Sequence, residues 1–267
     1  HFASHISIND TYRPKIELIK ENVLAWNKWS KINMASVITS ANIPNIIPSS
    51  DEKYAEGMRL ANDALQDMLE LVNMPDFESH EGWKRKSANK NDIVFSKYYA
   101  LGKIFTMRTT FDFPLRPCFA EHWENFADIT KYNKNISSIK IIDDLAPNMD
   151  VVYYAMKDFA TIKGREFMMC RTFRSFGDEI IEAARSFDFM GAEHDPQKIR
   201  GHIILAGGRF RVCPEDSAKT VVDYVMCVDF KEKNIPKIIM DATMSTLIMQ
   251  DAEFTRKQIE KLKQEAV

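Results

Sequence analysis

Arg171 makes the greatest demand on its surroundings. It lies in Phe167-Met-Met-Cys-Arg-Thr-Phe173, an apolar run of the kind that forms strands. In a strand, alternation puts Phe167, Met169 and Arg171 on one face and Met168, Cys170 and Thr172 on the other. If the Phe167 face is the interior, a guanidinium is buried among apolar groups. An unpaired buried charge costs several kcal/mol, so it requires an acid or a polar ligand group. The other arrangement is an outward-facing arginine on a solvated strand. Asp223 poses the same question inside Val221-Val-Asp-Tyr-Val-Met-Cys-Val228. Its plainer reading is an edge-strand charge that discourages aggregation.

Other chemistry is sparse. The six histidines are scattered, with no Gly-x-Ser-x-Gly elbow and no His-Glu-x-x-His. Cys118, Cys170, Cys213 and Cys227 have no Cys-x-x-Cys spacing. They read as reduced, mostly buried thiols in a cytosolic setting, with no zinc site. Ala206-Gly-Gly-Arg209 reads as a turn between strands, because no helix follows to make a phosphate loop. Arg256, Lys257, Lys261 and Lys263 interleave with Glu253, Glu260 and Glu265, as on a solvated helix face. The chain is expected to be no enzyme and to need no cofactor or metal.

The elements that position these residues follow from composition and period. The chain has 267 residues, 45% of them hydrophobic, including 17 Phe, 8 Tyr and 4 Trp. That is enough apolar surface for a sizeable core, and disorder of the bulk is excluded. A net charge of −2, from 36 basic and 38 acidic residues, gives no case for nucleic acid. No run of 18 apolar residues occurs. Residues 1–50 read as an N-terminal extension, helical in spacing over 14–31 and loop-like over 42–50. A start at His1 rather than Met reads as a fragment or processed form.

Residues 51–267 read as one domain. Ser50-Asp-Glu52 is expected to cap a helix running to about Asn73 and ended by Pro75. Period-2 runs follow, over 83–86, 92–99 and 104–111, then a short helix over 114–130. Further strands are expected over 136–142, 151–156, 166–173, 179–189, 198–205, 209–212 and 220–230. Pro236 opens a long final helix, apolar on most of its circumference through Ile238, Ile239, Met240, Met244, Leu247, Ile248 and Met249. Such a helix is buried, either as plain core or as a lid over a hydrophobic cavity. The order gives an α+β class: a curved antiparallel sheet with helices gathered on it.

Gly164-Arg-Glu-Phe-Met-Met-Cys-Arg171 is similar to the Pro-Arg-Asp-Phe-x-x-x-Arg core of the StAR-related lipid transfer (START) domains. Tyr132-Asn-Lys134, Ile199-Arg-Gly201, Thr220, Asp229 and Pro236 resemble further elements of that family, in the family's order, over about 55–264. The sterol-binding subgroup is the nearest in pattern. The resemblance implies a helix-grip fold, with the sheet wrapped around the terminal helix and an internal lipid cavity. It implies a carrier, gated by residues 157–163 and the terminal helix. Arg165 and Glu166 match an Arg-Asp pair whose role is structural.

In the sterol-binding relatives the matching arginine pairs with an acid on the preceding strand. Aligning Val151-Val-Tyr-Tyr154 to that strand places Ala155 where the acid would be, which leaves Arg171 without its expected partner. Asp223 and Asp158 are the candidate replacements. The candidate lipid-contacting set is Arg171, Phe167, Met169, Tyr153 and Ala155 from two strands. Asp223 and Val225 join them from a third, with Met244, Leu247 and Ile248 from the terminal helix. Tyr153 is favoured over Tyr154 because it shares Ala155's side of the strand.

The expected partners are one hydrophobic lipid, sterol or phospholipid, and a transient membrane surface. The chain is expected to act as a cytoplasmic monomer, peripheral at organelle membranes. The favoured function is sterol carriage between membranes. A phospholipid or fatty-acid carrier, a lipid-sensing module of a larger protein, and an enzyme on a similar cavity remain as alternatives. The last needs a buried His or Glu in the tunnel.

Overall fold

A change of period, from 3.6 to 2 after residue 74, divides the chain into a helix and a long sheet. The computed structural model describes residues 52–265 except 161 and 233. The N-terminal extension, Ser50 and Asp51 therefore lie outside the described residues, and the expected Ser50-Asp-Glu52 cap gives way to Tyr54, which stands at the N-cap with no side-chain cap hydrogen bond. After a 3₁₀ turn, helix α1 (Ala55–Val72) presents Met58, Ala61, Ala64, Leu65, Met68, Leu71 and Val72 as one buried stripe. Pro75 does more than end this helix, since it opens a second, five-residue one, α2 (Pro75–Ser79), at the first turn where a proline costs nothing.

Ten strands follow. They are β1 (Lys84–Ala88), β2 (Ile93–Tyr99), β3 (Gly102–Phe111), β4 (Ile136–Ala146), β5 (Met149–Met156), β6 (Arg165–Ser175), β7 (Glu179–Ser186), β8 (Ile199–Arg200), β9 (His202–Cys213) and β10 (Asp216–Asp229). The sheet order is β1-β2-β3-β10-β9-β7-β6-β5-β4, with β8 added in parallel to β6. Between β3 and β4 lie α3 (Leu115–Trp123) and a separate 3₁₀ segment (Phe126–Lys131), where the sequence suggested one helix. The final helix, α4, is Lys237–Glu265.

Two expected strands, 198–205 and 209–212, are in fact one. The Gly207-Gly208 pair sits mid-strand in β9 and makes no turn. Gly207 holds φ +125°, and a Cβ there would lie 2.4 Å from the Glu182 carbonyl oxygen. A Cβ on Gly208 would lie 2.2 Å from that of Asp223. The glycines let three backbones crowd together in the middle of the sheet.

Alternation sorts the sheet into two faces. One packs on α1 through Val151, Tyr153, Ala155, Met168, Cys170, Ile181, Ala183, Leu205, Val225 and Cys227. The other carries Val152, Phe167, Met169, Ala184, Ile203 and Ala206 and faces inward. Helix α4 spans that inner face, tied at intervals by side chains. Asp241 pairs with Lys86 at 2.8 Å and with Lys103. Asn135 donates to Gln250 at 2.9 Å. Arg256 is bound to buried Asp92 at 2.5 Å, so it is no solvated charge as the sequence suggested.

Candidate functional site

Between the inner sheet face and α4 lies a cavity of about 180 Å³. Its walls are mostly apolar: Phe126, Ile129, Tyr154, Phe167, Met169, Met226, Met244, Leu247 and Ile248, among others. Of the expected contacts, Phe167, Met169, Arg171, Met244, Leu247 and Ile248 converge here. Val225 touches the wall but packs in the cluster beneath α1.

Three expectations are corrected by strand parity. Tyr153 and Ala155 point to the α1 side, and Tyr154 lines the cavity instead. The Tyr153 hydroxyl donates to Glu166 at 2.7 Å, with His194, the Asp195 amide and Arg200 on the same carboxylate. Asp223 also lies away from the cavity. It is fully buried beneath Arg108, Arg209 and Arg211, with contacts of 2.5, 2.9 and 3.2 Å. Asp158 accepts the Gly164 amide at 2.6 Å inside the 157–164 turn, so it is no partner for Arg171 either.

Arg171 has its acid after all. Asp150 is its cross-strand neighbour in the β5–β6 ladder. Nε and Nη2 donate to the two carboxylate oxygens at 2.9 and 2.5 Å. The alignment that put Ala155 in the acid's place began the strand at Val151, one residue too late to include Asp150. The guanidinium is 1% exposed and stacks against Trp123 and Phe126, 4.2 and 3.9 Å from the ring centroids. Glu182 on β7 stands 3.7 Å from Nη1. Its other oxygen meets His122 Nε2 of α3 at 2.7 Å.

Asp150, Arg171, Glu182 and the partly exposed His122 thus form a continuous chain, of which Arg171, Glu182 and His122 line the cavity. Burial opposes ionisation of Glu182, but His122 and Arg171 outweigh it and hold the carboxyl below its ordinary range. For Asp150, burial prevails over the Arg171 hydrogen bond and raises the carboxyl. Asp150, Glu182 and His122 were not singled out in the sequence. Tyr154 and Met226 were missed too, though the parity of Val152 and of Val228 would have found them. Among the described residues no cluster is arranged to hold a metal, and no helix is long and apolar enough to cross a membrane.

Asp251 is a further polar lining residue, contributed by α4. Its carboxylate accepts from Asn133 Nδ2 at 2.7 Å. Asn133 is buried and stands in the Tyr132-Asn-Lys134 element read from sequence.

Known proteins resemble this chain in sequence and in fold. The chain is 30% identical over 241 residues to "Steroidogenic acute regulatory-like protein 1" of Caenorhabditis elegans, covering 86% of this chain and 93% of that one. It is 25% identical over 224 residues to "Steroidogenic acute regulatory protein, mitochondrial" of Homo sapiens, covering 79% and 73%. Among solved structures, human StAR-related lipid transfer protein 5 superposes with a TM-score of 0.69 at 14% identity, covering 79% of this chain and 99% of that one. Human STARD10 gives 0.60 at 20% identity, covering 74% and 80%. Both share the sheet gripping a terminal helix. The START domain family model matches residues 62–265, and the chain therefore belongs to the START family of lipid-binding and transfer domains.

Proposed function

We propose that the chain encloses one neutral, hydroxyl-bearing lipid, a sterol, and carries it between membranes. The observation that carries this reading is the state of Arg171 beside an apolar cavity. Asp150 and Glu182 already compensate the guanidinium, so a phosphate or carboxylate head would find no unpaired cation there. The case for a phospholipid rested on a missing acid, and that acid is Asp150. The steroidogenic acute regulatory names of the relatives point the same way. Burial of the lipid's apolar surface, at about 25 cal/mol per Å², supplies the affinity.

Entry and exit are proposed to run through residues 157–163 and α4. Ile238 and Ile239, 77% and 45% exposed at the start of α4, would meet the membrane surface there. Residues 51–267 are the unit proposed to do this, as a monomer in the cytoplasm.

The cavity does contain a histidine bound to a buried glutamate, which is the condition set for an enzyme. We read Glu182 as counter-ion to Arg171, with His122 as its second partner, rather than as a base. The test is native mass spectrometry after incubation with a mixed sterol and phospholipid extract. One retained sterol per chain is expected. Retention of a phospholipid in its place overturns the reading, and chemical alteration of the released lipid restores the enzyme.

A further inference from the structure

Asp251 is not used by the sterol-hydroxyl reading, and it is the one acid that α4 brings to the cavity. It is partly buried and lines the cavity. Its Oδ1 accepts from Asn133, while its second oxygen has no hydrogen-bond partner and no cation beside it among the described residues. Burial raises the carboxyl to about 6, against the Asn133 hydrogen bond, so at neutral pH the group is mainly an anion. Besides Asn133, the groups that feel its charge are the hydroxyls of Tyr132, Tyr154 and Tyr224, none of them cationic, while Thr255 donates to its backbone carbonyl.

A carboxylate in an apolar cavity is costly unless something donates to it. Its free oxygen is an acceptor, and its charge repels phosphate and carboxylate. The Arg171 cluster sits on the sheet wall and Asp251 on the helix wall, each with its own protein partner.

Resting on the neutral-lipid reading above, we propose that Asp251 is a second recognition point, so that the ligand is an apolar body with two hydroxyl groups, one met by the Arg171 cluster and the other donating to Asp251. A ligand with one hydroxyl leaves one of these stations unsatisfied. A site that holds a buried acceptor discriminates strongly against the analogue lacking the donor.

The experiment measures equilibrium binding of cholesterol and 25-hydroxycholesterol to the full chain at pH 7.5, for wild type, Asp251→Leu and Asp251→Asn. Wild type is expected to bind the dihydroxy sterol about tenfold more tightly, as one additional hydrogen bond to a charged acceptor allows. Asp251→Leu should bring the ratio towards one, and Asp251→Asn, which still accepts, should keep part of it. Equal binding by wild type, or an unchanged ratio in Asp251→Leu, overturns the second recognition point alone. Failure of wild type to bind either sterol overturns the sterol reading and this inference with it. Near-ultraviolet circular dichroism of both variants establishes that the ratios come from folded protein.

Discussion

Asp150 and Arg171 face each other across the β5–β6 ladder, joined by two hydrogen bonds of 2.9 and 2.5 Å at almost complete burial. The pair is structural before it is functional. Arg171→Leu strands Asp150 without its cation and leaves Glu182 with His122 alone. It should cost about 3–5 kcal/mol in urea unfolding. Adding Asp150→Leu should recover part of that loss. A double variant less stable than Arg171→Leu would show the pair to be uncoupled.

The sheet and a long terminal helix were legible in the sequence because period-2 runs and a long apolar segment are local signals, whereas the grip of one on the other was implied by the family resemblance, and Ile238 and Ile239 of that helix are exposed rather than buried. The site was half legible. Phe167, Met169 and Arg171 follow from alternation within one strand, and they do line the cavity. Tyr153 and Ala155 went to the wrong face because parity was carried over from a presumed alignment, not from the strand itself. Starting β5 at Met149 places Asp150, Val152 and Tyr154 on one side, and the acid then falls opposite Arg171. Glu182 and Asp251 become visible only through pairings more than ten residues distant, from β7 to β6 and from α4 to Asn133. No local period reports those. The Gly207-Gly208 pair misled because glycine marks a turn and a close backbone approach with the same letters.

Asp251 should leave a signature in pH. Its carboxyl is raised from 3.8 to about 6 in the folded chain. Between those values the folded state holds more protons than the unfolded state, so this group's contribution to stability falls as pH rises through about 6. At pH 7 the ionised, buried Asp251 therefore destabilises by roughly 2–3 kcal/mol. In the ligand-free protein, Asp251→Asn should raise stability at pH 7 by about that amount and leave it little changed near pH 4. Glu166 and Glu182 are depressed and pull in the opposite direction, so the quantity to measure is the wild-type-minus-variant difference across pH. A difference that does not vary between pH 4 and 7 would contradict the assignment.

Gly207 is a backbone requirement. Alanine there must adopt φ +125° and force its methyl against the Glu182 carbonyl. Gly207→Ala should lose about 2 kcal/mol or more, read as a lowered thermal midpoint. Gly177, with φ +70° and nothing within 4 Å of the added Cβ, is the control and should lose less.

Ile238 and Ile239 separate transfer from binding. Both are exposed at the start of α4, and neither lines the cavity. The double change to Glu should slow sterol movement between vesicles several-fold, because two charges must be desolvated at the bilayer. The retained sterol per chain should stay the same. Unaltered transfer kinetics would assign membrane contact to another surface.

Asp223 tests the parity correction directly. It balances Arg108, Arg209 and Arg211 on the face away from the cavity, with Glu78 of α2 as the only other acid among the described residues in contact with all three. Removing it leaves three guanidinium groups sharing the half-exposed Glu78, with Glu179 3.9 Å from Arg209 alone. Glu78, held down to about 2 by those arginines against its own burial, has no further capacity to compensate them. Asp223→Ala should therefore lower stability by about 3 kcal/mol. Sterol affinity, measured well below the melting temperature, should equal that of wild type, because the sheet separates Asp223 from the ligand. A weakened affinity with unchanged stability would place Asp223 on the cavity side, where alternation in β10 puts Tyr224 and Met226.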